Sequence, residues 1–140
     1  MRAKKPLIFL VLSIVTGLFI AHELFLVIPK KEMGHNLAAL GTYRSMIEIY
    51  HSEKGEFPST IEQLIPKYGN FPFAPGVPYA TGWFSYETHP MGSHIQYVSE
   101  LRPDDAGGWL YDNNPQSKDF GKIIINCTHL SYKGQNYSEM

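Results

Sequence analysis

The opening stretch, "MRAKKPLIFLVLSIVTGLFIAHELFLVIPKK", constrains this chain more than any other part of it. Leu7 to Ala21 is an almost unbroken apolar run, diluted only by Ser13, Thr16 and Gly17. His22 and Glu23 interrupt it, and Leu24 to Ile28 resume it. As a helix, Pro6 to Ile28 is long enough to cross a hydrocarbon core of about 30 Å. The anchor residues are then Leu7, Ile8, Phe9, Leu10, Val11, Leu12, Ile14, Val15, Leu18, Phe19, Ile20, Leu24, Phe25, Leu26, Val27 and Ile28. Arg2, Lys4 and Lys5 precede the run, so the positive-inside rule keeps the N-terminus cytoplasmic and sends the remainder across. A cleaved signal peptide is the competing reading. Cutting after Ala21 would place Phe19 where a small residue is needed, so an uncleaved anchor is expected. The division that follows is a cytoplasmic tip and anchor over 1–29 and an extracytoplasmic domain over 30–140.

The remainder suffices for one domain. Net charge is −1, which supplies no basic field for nucleic acid. Ten prolines, twelve glycines and 14% aromatic residues favour short strands and turns over a helical bundle. The single cysteine, Cys127, excludes an intrachain disulfide and any CxxC motif. It reads as a small half-buried strand residue. A reactive thiol would need a base nearby, and His129 stands two residues on.

Beyond Pro29, Leu37, Leu40, Tyr43, Ile47 and Tyr50 recur at helical spacing, with Met46 and Ile49 widening the stripe. This predicts an amphipathic helix that leaves the membrane and lays one face on a sheet, with a bend at Gly34 or Gly41. The helix should stop at Ser52–Lys54, where Gly55 suits the left-handed cap, Phe57 can pack under the turn and Pro58 forbids continuation. "STIEQLIP" reads as a two-turn helix, with Ser59 and Glu62 as a capping box and Pro66 as its end. The Pro- and Gly-rich stretch 68–82 reads as loop. Four strand candidates follow, at 83–89, 94–101, 107–113 and 122–129, the last two forming a hairpin. The expected class is α+β: a transmembrane helix continuing into an amphipathic helix packed on a small sheet of three or four antiparallel strands.

"NLAALGTYRSMIEIYHSEKGEFPSTIEQLIP" resembles the helix end of type IV pilin-like proteins, in particular the type II secretion pseudopilins of the G type. There an amphipathic helix ends in Tyr, polar residues and Gly, followed by an aromatic–Pro pair and a short helix. Tyr50, Gly55, Phe57, Pro58, Ser59, Thr60, Glu62 and Leu64 fill those places. "GGWLYDN…GKIIIN" is similar to a strand pair found in many members, through Gly107, Gly108, Trp109, Tyr111, Asp112, Gly121, Ile123, Ile125 and Asn126. The resemblance implies a pilin-like fold that assembles by packing N-terminal helices and works mechanically, without catalysis or cofactor. The prepilin leader departs from the pattern. Gly17 is followed by "LFIAHE", which puts Glu23 sixth instead of fifth, and most of the apolar run precedes Gly17. Prepilin-peptidase processing is therefore not expected.

The resemblance also implies a calcium loop in some members, which makes Asp112 and Asp119 in "DNNPQSKD" weak candidates; an Asx-turn explains the loop equally without metal. His89 and His94 could join a metal site with His129 if the strands align. No HExxH spacing supports this, and exposed loop histidines are the plainer reading. No nucleophile elbow, P-loop or dinucleotide fingerprint occurs. The expected function is a non-enzymatic structural or assembly protein of a secretion or pilus-like system. It would be single-pass in an inner membrane with its head periplasmic, and its partners would be the membrane and other pilin-like or secretion-system proteins, with no small-molecule substrate. The alternatives are an anchored module that binds a ligand or partner on a pilin-like fold, with a pocket along Phe71 to Trp83, and an anchored hydrolase.

Overall fold

The computed structural model describes residues 4–68, 76–82, 85–91 and 94–140. Two helices in succession open it, α1 (Lys4–Phe25) and α2 (Val27–Lys54), and a short helix α3 (Ile65–Tyr68) follows a 3-10 turn at Ile61–Leu64. Five strands then follow: β1 (Val77–Gly82), β2 (Ser85–His89), β3 (Ile95–Val98), β4 (Trp109–Asp112) and β5 (Ile123–Ile125). The class is α+β, with a long apolar N-terminal helix and two small sheets of two and three strands.

The helical rod is interrupted at Leu26, not at Gly34 or Gly41. Pro29 explains the position. It has no N–H to close onto the Phe25 carbonyl, and its ring crowds the preceding turn. The Leu26 N–H is shared between the His22 and Glu23 carbonyls at 3.2 Å each, and the chain restarts with Pro29 in the first turn of α2, where a missing donor costs nothing. At the other end α2 stops as the sequence predicts: Gly55 takes φ 77°, and its N–H donates to the His51 carbonyl at 2.8 Å.

α2 buries Pro29, Met33, Asn36, Ala39, Leu40, Tyr43 and Ile47. Leu37 and Tyr50 lie at the edge of this face, half-buried, and Ile49 is exposed. The contact stripe is therefore rotated slightly from the predicted one, and it includes a polar residue. Asn36 is fully buried and its Nδ2 donates to the Gly76 carbonyl at 2.9 Å. That bond ties α2 to the start of β1 and offsets the desolvation of the amide nitrogen.

The expectation of one antiparallel sheet is corrected. β1 and β2 form their own antiparallel hairpin, with Val77 opposite His89 and Tyr79 opposite Glu87. β1 occupies part of the stretch read as loop, because Pro78 can sit on an edge strand that hydrogen-bonds one neighbour. In the second sheet β4 is central: it pairs antiparallel with β5, as expected, but parallel with β3. Apolar alternation identifies a strand without specifying its direction. Here residues 99–108 carry the chain back before β4 begins. Gly108 then lies against the preceding turn, its N–H donating to the Pro90 carbonyl at 2.9 Å. Trp83 and Phe84, which begin the first expected strand at 83–89, lie outside the described residues.

The core lies between α2 and the two sheets. Trp109 and Tyr111 project from one face of β4, and Tyr43 meets Trp109 with ring centroids 5.1 Å apart. Ile123 and Ile125 of β5, Ile61 and Leu64 of the 3-10 turn, and Val77 of β1 complete it. The C-terminal stretch, featureless in sequence, closes the structure. Tyr137 is buried and its hydroxyl donates to the Pro78 carbonyl at 2.8 Å, while Arg44 of α2 donates to the Met140 main-chain oxygen at 2.7 Å.

Candidate functional site

Three places carry the residues singled out by sequence: the exposed part of the rod, the corner after α2, and the edge where the two sheets meet. In the first, Ile8 to Leu24 present their apolar side chains outward all round the helix, with exposures above 50% at every large residue among them. One helix near the N-terminus is thus long and apolar enough to cross a membrane. Phe25 is the first large apolar residue of the helix to turn inward, meeting Tyr86 edge-on at 5.4 Å. Leu7 lies in α1, but its side chain is outside the described residues. Glu23 pairs with Lys30 at 2.8 Å across the interruption at Leu26.

At the corner the two stretches that carry the family resemblance come into contact. Phe57 stacks on His51 of α2 at 4.0 Å and meets Phe120 edge-on at 5.5 Å. Its ring covers Gly121, which has φ 84° and where an added Cβ would fall 2.4 Å from two ring carbons. Pro58 is buried, and the Tyr111 hydroxyl of β4 donates to its carbonyl at 2.6 Å. The capping box is displaced by one residue: Ser59 exchanges bonds with Gln63, while Glu62 accepts from the Tyr97 hydroxyl of β3. Pro66 does not end this helix but sits inside the first turn of α3. A long apolar helix followed by small sheets is compatible with a pilin-like shape.

The loop after β4 closes on its own side chains. Asp112 is buried; its Oδ1 accepts from the Asn114 N–H at 3.0 Å, the Asx-turn geometry, and its Oδ2 accepts from Ser117. Asp119 accepts from the Lys122 ammonium at 2.6 Å, which holds its carboxyl below the usual range. The two carboxylates serve different partners instead of one centre.

The third place was only partly legible. His89 at the end of β2 and His129 beyond β5 come together, Nε2 to Nδ1, at 3.1 Å. The expectation of exposed loop histidines holds for His94 and fails for these two, which are half-buried. The Tyr79 ring stacks on both imidazoles, with centroids 4.7 and 4.0 Å away. Two groups that the sequence reading did not place with this histidine pair join them. Asp105 places Oδ1 3.3 Å from His129 Nδ1, and Cys127 places Sγ 3.6 Å from the same nitrogen. Four potential ligand atoms, one from each residue, lie within 4.8 Å of one another. Asp105 is held from behind: Thr128 donates its N–H to Oδ1 at 2.6 Å and its hydroxyl to Oδ2 at 2.7 Å. Those bonds lower the Asp105 carboxyl, whereas burial, aided by the Asp105 charge, pushes the Cys127 thiol up to about 11. "CTH" places Cys127 and His129 two apart in the sequence; nothing local indicates that Asp105 and His89 would reach them.

No family model matches the chain, and neither a curated protein nor a solved structure is significantly similar to it.

Proposed function

We propose that this chain is a membrane-anchored, pilin-like assembly protein of a type II secretion or type IV pilus-like system, acting through protein–protein contacts without catalysis of its own. Its N-terminus would be cytoplasmic and its head periplasmic. The observation that supports this best is the division of labour along the helical rod. α1 is apolar on every side and exposed, while most of α2 carries one buried stripe that makes it part of the head. A helix apolar all round has lipid or other helices as its natural surroundings. Ser13, Gly17 and Ala21 lie four residues apart, so they share a face on which helices can approach closely. The pocket expected by the binding-module alternative runs along Phe71 to Trp83, of which residues 71–75 and 83 lie outside the described residues.

Two experiments on the full chain test the reading. Leu12→Arg combined with Val15→Arg adds roughly 5–7 kcal/mol to insertion, at about 2.5–3.5 kcal/mol per charge near the helix centre, and should move the protein from the membrane to the soluble fraction. Ser13→Cys should form cross-linked dimers and higher adducts on mild oxidation in membranes, with the parent chain as the monomeric control because Cys127 is buried. Purely monomeric Ser13→Cys at native expression levels would sink the assembly reading while leaving the anchor standing.

A further inference from the structure

We infer that His89, Asp105, Cys127 and His129 form a zinc site that fastens the two sheets together. The geometry carries the inference. Three polar atoms, His89 Nε2, Asp105 Oδ1 and Cys127 Sγ, crowd onto His129 Nδ1 at 3.1, 3.3 and 3.6 Å. One ring nitrogen makes a single good hydrogen bond along its in-plane direction, so a hydrogen bond with His129 accounts for at most one of the three approaches, and Asp105 Oδ1 already accepts from the Thr128 N–H. A cation among them satisfies all four groups at once. Tetrahedral zinc, with bonds of about 2.0–2.3 Å, sets its ligand atoms about 3.3–3.8 Å apart, close to the separations seen at His129.

The donor set selects the metal. Two imidazoles, a thiol and one carboxylate suit zinc, whereas calcium and magnesium call for oxygen throughout. Four protein ligands fill a tetrahedral shell, the pattern of a structural site. The supporting groups are in place as well. Thr128 orients both carboxylate oxygens of Asp105, and the Tyr79 ring fixes the planes of both imidazoles. Cys127 forms the buried floor, while the side chains of His129 and Asp105, 37% and 32% exposed, leave a way in.

A cysteine–histidine–aspartate relay is the competing chemistry for the same residues. It requires the thiol and the carboxylate at opposite ring nitrogens of the histidine. Here both approach Nδ1, so no proton path runs through the ring.

The site's place in the fold gives it a purpose. His89 ends β2 of the first sheet; Asp105 precedes β4 and Cys127 follows β5, both strands of the second. Among the described residues no strand pairing joins the two sheets. An ion held by all four residues clips together segments distant in sequence, and binding then stabilises the head in proportion to the logarithm of free zinc.

The inference stands apart from the assembly reading and is tested without it. Metal-free full chain in detergent is titrated with cobalt(II), then with zinc(II). Expected are saturation at one ion per chain, a thiolate-to-cobalt charge-transfer band with intense tetrahedral d–d bands, displacement by zinc, and a melting temperature that climbs with free zinc. Cys127→Ser should abolish the charge-transfer band. His89→Gln, at a half-buried strand end, should weaken zinc at least tenfold and remove the thermal response. Thr128→Val should weaken zinc by about 10- to 100-fold. Weak octahedral cobalt spectra, or binding unaffected by Cys127→Ser and His89→Gln, would show a hydrogen-bonded cluster only and overturn the inference.

Discussion

Gly121→Ala tests whether the corner after α2 is held by contact between the two family-like stretches. The residue has φ 84°, which costs a residue with a Cβ about 1–2 kcal/mol, partly offset by about 0.4–1 kcal/mol from a stiffer unfolded chain. The new methyl would then lie 2.4 Å from Phe57 Cγ and Cδ1, where carbon atoms at rest sit about 3.5–4.0 Å apart. The ring must retreat by about 1 Å, and it is held by His51 on one face and Phe120 at its edge. Aromatic pairs of this kind contribute about 0.5–1.5 kcal/mol each. Together the change should destabilise the head by about 2–4 kcal/mol. Gly55→Ala is the control. It has a similar φ of 77° and nothing within 4 Å of the added carbon, so it should cost about 1 kcal/mol or less. Near-UV circular dichroism, which reports the buried Trp109, follows thermal unfolding of the full chain in detergent. At about 4 °C per kcal/mol, Gly121→Ala should melt about 8–16 °C lower and Gly55→Ala at most about 4 °C lower. Phe57→Ala should cost clearly less in the Gly121→Ala background than alone, since the clash has gone. Equal melting points for the two glycine variants, or strict additivity with Phe57→Ala, would refute the contact.

Two further outcomes follow from the core. Tyr111→Phe removes the hydroxyl that donates to the Pro58 carbonyl, leaves that oxygen without this donor, and should lower stability by about 1–2 kcal/mol in denaturant unfolding; an unchanged midpoint would remove this bond from the account of the corner. Burial raises the hydroxyls of Tyr43, Tyr97, Tyr111 and Tyr137 above their ordinary value of 10.0, Tyr43 to about 12. The fold favours their protonated form, so this stabilisation is complete below about pH 10 and falls as pH rises through the folded values. Melting temperature should drop from pH 10 upward while several of the nine tyrosines resist ionisation until unfolding; nine tyrosines titrating together in a still-folded head would contradict this.

What could be read along the chain was whatever depends on near neighbours. The apolar run of Leu7–Ile28, the α2 stripe through Leu40, Tyr43 and Ile47, and the cap at Gly55 are local patterns, and the structure keeps them with the stripe slightly turned. Asn36 was missed because an amide on an apolar face reads as a break in the pattern; only its bond to the Gly76 carbonyl, 40 residues away, makes it a core residue. The direction of β3 failed for the same kind of reason. Residues 99–108 carry no periodicity that distinguishes a return crossover from a hairpin, and the parallel pairing with β4 is settled by where that segment packs.

The candidate site divides along the same line. Cys127 and His129 stand two apart in sequence, and His89 reaches His129 only if the strands that carry them align. Asp105 reads in sequence only as one of several loop carboxylates, beside Asp104 in "DDAGG", with nothing local to direct it to the histidines. By itself the sequence determined a long apolar helix, its handover at Tyr50–Pro58 and an α+β head, because those rest on spacing, capping and hydropathy within a few residues. Only the tertiary structure decided that there are two sheets, that Phe57 lies on Gly121, and that four donors from three separate segments converge on one point. Such convergence depends on how distant segments pack, which no periodicity along the chain encodes.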